Sequence, residues 1–99
     1  MRRMVWALAL IAAPLAAGAQ SNRDEAAAWC SGRGNPTPQQ QLAGCEWIIA
    51  SSSATPQQRA GAFGNRGNLR MASGNRAGAL ADFNEGNRLN PDNPIILNS

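Results

Sequence analysis

From Ala60 to Asn93 the chain reads AGAFGNRGNLRMASGNRAGALADFNEGNRLNPDN: one helix-forming run, a sharp break at Ser73-Gly74-Asn75, and a second run that stops before Pro91. Glycine at the break suits a helix carboxyl cap, Asn75 can begin the next helix, and proline cannot continue it. Two helices joined by so short a turn must lie antiparallel. A lone hairpin of this kind cannot cover its own apolar stripe, so the segment demands a neighbour, either another helical unit or a partner. The pattern predicts an all-α fold, and recognition rather than catalysis as its business.

The amino-terminal stretch must be set apart before composition carries meaning. Arg2 and Arg3 precede an apolar run from Met4 to Ala19 that ends in Ala17-Gly18-Ala19. Basic start, apolar middle and small-residue end describe a secretory signal peptide over residues 1–19, with cleavage after Ala19. Pro14 and the small residues after Leu15 cut the run short of the roughly 20 apolar residues that a membrane span needs. The alternative is an uncleaved amino-terminal anchor; the expectation is a periplasmic or secreted protein with no stable anchor once the leader is removed.

Without the leader, 80 residues remain, carrying seven arginines against six acids for a net charge of +1. The basic character of the whole chain owes much to the leader and to a complete absence of Lys, so it argues nothing for nucleic acid, and no basic run or aromatic platform supports that partner. A domain this small buries only about 60 to 65% of its unfolded surface. Reinforcement is expected from Cys30 and Cys45, the only two cysteines, which an oxidising compartment would join as a disulfide. A redox pair would want the closer C-x-x-C spacing, and a metal site would want more thiols or a His, of which there is none.

Four helices are predicted. Ser21 or Asn22 caps the first, from about Arg23 to Cys30, with Asp24 and Glu25 near its positive end. Thr37-Pro38-Gln39-Gln40 opens the second, about Pro38 to Ala50, as a capping box with proline in the first turn; the same tetrapeptide, Thr55-Pro56-Gln57-Gln58, opens the third 18 residues later. Leu42, Cys45, Ile48 and Ile49 make the stripe of the second helix, with Trp47 at its edge. The third, to about Ser73, spaces Gly61, Gly64 and Gly67 by three along one face, which reads as close approach of another backbone or as a weak, fraying helix. In the fourth, Asn75 to Leu89, the buried side is assigned to Ala79, Leu80, Phe83 and Leu89, and Asp82 with Glu85 to an outer polar face.

An enzyme is argued against by the lack of His, Tyr and Lys and by the absence of any nucleophile-elbow serine; no catalytic residue, cofactor or metal is expected. A membrane-associating or structural envelope protein is a weaker rival, because the third helix sets Arg59, Arg66 and Arg70 against only Phe63, Leu69 and Met71.

The segment Ala60 to Asn93 resembles the tetratricopeptide repeats, whose 34-residue unit is a helix-turn-helix with small and aromatic residues at fixed places. Phe63 stands at the family's first aromatic position, Gly67 at its small contact residue, Gly74-Asn75 at the turn, Ala79 at the small residue of the second helix, Phe83 at its aromatic and Pro91 at the terminal proline. Arg66 and Arg70 depart from the usual Leu and Tyr, and Gly86 from Ala, which thins the expected core. Trp29 falls 34 residues before Phe63, so residues 20–59 look like a degenerate copy bearing the cysteines, similar to secreted bacterial proteins with a cysteine-bearing helix pair ahead of such repeats. Pro94 to Ser99 read as the start of an incomplete further helix or a tail.

The resemblance implies antiparallel hairpins stacked as a short α-solenoid that binds a protein or peptide in the groove lined by first helices. Asn65 and Asn68 occupy positions that hydrogen-bond a bound peptide in some family members, and Met71 and Ala72 would face the same groove. Carboxylate-binding members also use Lys, which this chain lacks. Self-association through the fourth helix and the Ile95 to Leu97 segment is a further expectation, and a shortened paralogue without a specific partner is the alternative.

Overall fold

The computed structural model describes residues 22–91, and every regular element in that span is helical. Residues 1–19, expected to form a leader, Ser21 as a cap and the Ile95 to Leu97 segment lie outside the described residues. Helix α1 covers residues 22–31, α2 Pro38–Ala50, α3 Pro56–Ala72 and α4 Arg76–Leu89. Asn22 is already helical, so it is part of α1 and does not cap it.

Local chemistry sets the boundaries. In the box that opens α2, the Thr37 hydroxyl accepts from the Gln40 amide at 3.1 Å while the Gln40 side chain accepts from the Thr37 amide at 2.9 Å. Thr55 and Gln58 repeat this at 3.1 and 2.8 Å to open α3. Each box satisfies two amides that the first turn of a helix leaves without partners. At the end of α3 the Asn75 amide donates to the Arg70 carbonyl at 2.8 Å and the Gly74 amide to the Met71 carbonyl at 3.1 Å. That pair of bonds is a Schellman closure, and it requires the left-handed backbone that Gly74 adopts at φ 87°. Asn75 then caps α4 by accepting from the Gly78 amide at 3.0 Å.

The helices meet through small residues. The buried apolar set is Ala26, Cys30, Cys45, Ala60, Ala62, Ala79 and Phe83, so only one bulky side chain is fully committed to the interior. Small residues let backbones approach closely, and two glycines mark where. A Cβ on Gly44 would lie 2.6 Å from the Ala26 carbonyl oxygen of α1, and one on Gly67 would lie 2.6 Å from the Phe83 ring of α4. Gly61 differs from the close-approach expectation: nothing lies within 4 Å of where its Cβ would be.

Cys30 and Cys45 form a disulfide, with Cα atoms 4.5 Å apart, that ties α1 to α2. Around it sit Ala62 of α3 and the half-buried Ile48 and Ile49, so the bridge lies in the core where three helices meet. Among the described residues no helix is long and apolar enough to cross a membrane. The disulfide fits an oxidising compartment.

Two assignments on α4 are corrected. Its inward stripe is Ala79, Asp82, Phe83 and Gly86, spaced i, i+3, i+4 and i+7. Leu80 lies about 100° round the helix from Ala79 and is 60% exposed rather than buried. Asp82, expected on an outer polar face, is 2% exposed.

Candidate functional site

Asp82 is buried without becoming an orphan because α3 brings two guanidiniums to it. Arg66 donates from Nε to Oδ2 at 3.0 Å and from Nη2 to Oδ1 at 2.9 Å, a bidentate pair, and Arg70 donates from Nη1 to Oδ1 at 3.2 Å. Residues four apart share one helix face, so Arg66 and Arg70 arrive together. Arg66 also reaches Glu46 of α2, Nη1 to Oε2 at 3.8 Å, and its guanidinium carbon lies 5.4 Å from the centre of the Phe63 ring. The hydrogen bond to Asp82, aided by the negative charges of Asp82 and Glu46 and opposed by burial, holds the Arg66 guanidinium above its ordinary range. One side chain thus links α2, α3 and α4. The two arginines that were expected to thin the core are instead its polar cross-brace.

The opposite side of α3 faces α1. There a shallow groove of about 230 Å³ is lined by Cys30, Ser31 and Gly32 at the end of α1, Gln41 of α2, and Asn65, Asn68, Leu69 and Ala72 of α3. Asn65 points its Nδ2 at the Cys30 sulfur, 3.7 Å away, and Ser31 donates its hydroxyl proton to the Ala28 carbonyl at 3.0 Å. The groove therefore brings together Asn65, Asn68 and Ala72. Met71 is 47% exposed and is not among its lining residues. Cys30, Leu69, Gln41, Ser31 and Gly32 complete the lining, a place the sequence did not assign to them. The signal that could have found Leu69 is its i+4 relation to Asn65 on α3; Gln41 and the 30–32 turn needed the packing of α1.

A second hollow of about 190 Å³ lies at the other end of α1, between Arg23, Asp24, Ala27, Trp47, Ile48 and the Ser51 to Gln58 connection. Both hollows are smaller than the roughly 300 to 1,000 Å³ clefts that engulf small molecules. They suit side chains or a short stretch of chain. Among the described residues no group of three or more His, Cys, Asp or Glu is placed to hold a metal ion.

The repeat-packing positions are distributed along one hairpin. Gly67, Ala79 and Phe83 are buried at the α3/α4 contact, Phe63 is half-buried beneath Arg66, and Pro91 is exposed just past α4. No protein-family model, curated protein or solved structure matches this chain.

Proposed function

We propose that this chain is a non-catalytic protein- or peptide-binding module, built as a short tetratricopeptide-like stack of two helical hairpins and acting in the cell envelope or outside the cell as an adaptor or assembly component. The observation that carries the reading is the groove between α1 and α3, where Asn65, Asn68 and Ala72 share one lining with Gln41. Side-chain amides both donate and accept, which is what an extended peptide backbone offers in return. The packing is compatible with that reading: the disulfide ties α1 to α2, α3 packs against α4, and the end of α1 lines the groove together with α3. In a repeat stack the first helices line the concave face, which is where this reading puts the groove.

The membrane-associating alternative requires a free cationic face on α3. Arg59 donates to the Ser51 carbonyl at 2.8 Å, and Arg66 and Arg70 are engaged by Asp82, so that face is largely spent on internal contacts.

Site-specific photocrosslinking tests the proposal. A crosslinker at Ala72, an exposed residue of the groove lining, is expected to capture discrete envelope proteins, and capture is expected to fall when Asn65 and Asn68 are both changed to Ala. The same group at Ala77, exposed on α4, is expected to capture none of them. Equal capture from both positions, or none at Ala72, contradicts the reading.

A further inference from the structure

One end of the molecule gathers the amino ends of α1 and α3 and the carboxyl ends of α2 and α4. The hollow of about 190 Å³ lies there, with Ala27 from α1, Trp47 and Ile48 from the last turn of α2, Ala54 from the connection and Gln58 from the first turn of α3. The short turn after α3 makes α4 antiparallel to it, and the approach of the Phe83 ring to Gly67 fixes the level. Leu89, six residues on from Phe83, therefore comes level with Gly61, six back from Gly67, and Pro91 follows beside the amino end of α3.

The hollow is short of apolar cover. Trp47 is 40% exposed, and Ile48 and Ala54 are only half-buried. Its polar groups ask for little. The Ser51 and Ser53 hydroxyls hydrogen-bond each other at 3.0 Å, and the Ser51 carbonyl accepts from Arg59 at 2.8 Å. The only charges in the lining, Arg23 and Asp24, are exposed and opposite in sign. An uncharged apolar group is what such walls reward with buried area.

Two stretches of chain leave at this end. The one before Asn22 is Gln20-Ser21 once the expected leader is removed, and it carries nothing bulky and apolar. The one after Pro91, outside the described residues, reads Asp92-Asn93-Pro94-Ile95-Ile96-Leu97 and carries three bulky apolar side chains in a row. From Pro91 a chain spans up to about 13 Å by Ile95 and up to about 20 Å by Leu97. A helix with its side chains is about 10–12 Å across, so this reach is enough to pass the amino end of α3 and arrive at Trp47.

We propose that residues 95–97 close this hollow, seating their apolar side chains on Trp47, Ile48 and Ala54 and so fastening the carboxyl end of α4 to α1 and α2. The proposal is independent of the peptide-binding reading, whose groove lies at the other end of α1.

Fluorine NMR of the oxidised, fluorotryptophan-labelled protein tests it, with Trp29, half-buried on α1 and outside the hollow, as the internal control. Changing Ile95, Ile96 and Leu97 together to Ser is expected to move the Trp47 resonance and open it to a soluble paramagnetic quencher. Trp29 is expected to stay in place, which shows that the fold is kept. The same variant is expected to melt about 4–8 °C lower, as for the loss of one partly buried apolar side chain. Trp47→Ala, in turn, is expected to shift the methyl resonances of Ile95, Ile96 and Leu97. These effects are expected to survive dilution of about a hundredfold, because occupant and hollow belong to one chain. A Trp47 resonance indifferent to the triple change, or equally open to the quencher before and after it, overturns the proposal. A Trp47 response that disappears on dilution overturns it too, and assigns the hollow to a second copy.

Discussion

Adding one methyl group at Gly67 and the same group at Gly61 separates packing from helix propensity. Both glycines lie inside α3, so replacing either with Ala gains the same intrinsic helix preference, about 0.8–1 kcal/mol. At Gly61 the new Cβ meets nothing within 4 Å, so that gain stands alone. At Gly67 it would sit 2.6, 2.8 and 3.1 Å from three carbons of the Phe83 ring, where carbon atoms settle at about 3.5–4.0 Å. Roughly 1 Å of displacement is therefore forced on the largest buried side chain of the α3/α4 contact, at an overpacking cost of about 1–3 kcal/mol. Gly61→Ala is expected to raise stability by just under 1 kcal/mol, and Gly67→Ala to fall about 1–3 kcal/mol below it. In thermal unfolding followed by circular dichroism, a domain of this size shifts by about 4–8 °C per kcal/mol. Trimming the ring in Gly67→Ala/Phe83→Leu is expected to recover part of the loss, a coupling that independent sites would not show. Equal melting temperatures for the two single variants would refute the close approach of α4 to α3 at this point.

Three further outcomes follow from the same contacts. Asp82→Ala leaves two guanidiniums facing a buried hole and is expected to cost about 2–4 kcal/mol in urea titrations, somewhat below a fully buried pair because Arg70 is 30% exposed; Arg70→Ala, losing the more solvated partner, is expected to cost under about 1 kcal/mol. Reducing the Cys30–Cys45 bridge, which closes a separation of 15 residues, is expected to cost about 3 kcal/mol and to loosen α1 first, read as faster amide exchange in residues 22–31 than in α4. Stability is expected to be flat from about pH 5 to about pH 9, since the chain has no His and both cysteines are bridged. The exposed Glu85 carboxyl, held low by its hydrogen bond from Arg88, adds stability that is present above the unfolded carboxylate value and lost as pH falls through the lower folded one. The raised Arg66 works in the opposite sense, its contribution being lost only as pH climbs beyond the guanidinium range. A transition near neutral pH would count against this charge assignment.

The legible parts of the fold were those decided within a few residues. Thr37 and Thr55 with their glutamines, Gly74 as a left-handed cap and Asn75 as the next amino cap depend on contacts three to five positions apart, and the sequence displays both partners side by side. Asp82 was misread because its partners lie 12 and 16 residues away on another helix, where only the rotational phase of α3 against α4 decides whether a carboxylate is solvated or clamped. A signal was present: Asp82 sits within the stripe marked by Ala79 and Phe83, and Arg66 and Arg70 stand four apart on the facing helix. Leu80 failed for the complementary reason, since hydrophobicity alone placed it inside while the 3.6-residue period turns it outward. The groove was half legible. Asn65, Asn68 and Ala72 share one face of α3, whereas Gln41 and the Ser31-Gly32 wall depend on how the disulfide seats α1.

The most direct test of the account is a heteronuclear NMR titration of the oxidised protein with a peptide taken from the contact region of a partner captured through Ala72. The account expects perturbations confined to the side-chain amides of Asn65, Asn68 and Gln41 and the backbone of Ser31, Gly32 and Leu69, with α4 silent. Shifts centred on Leu80 of α4 or on the Trp47 hollow, with the groove amides unmoved, would contradict it.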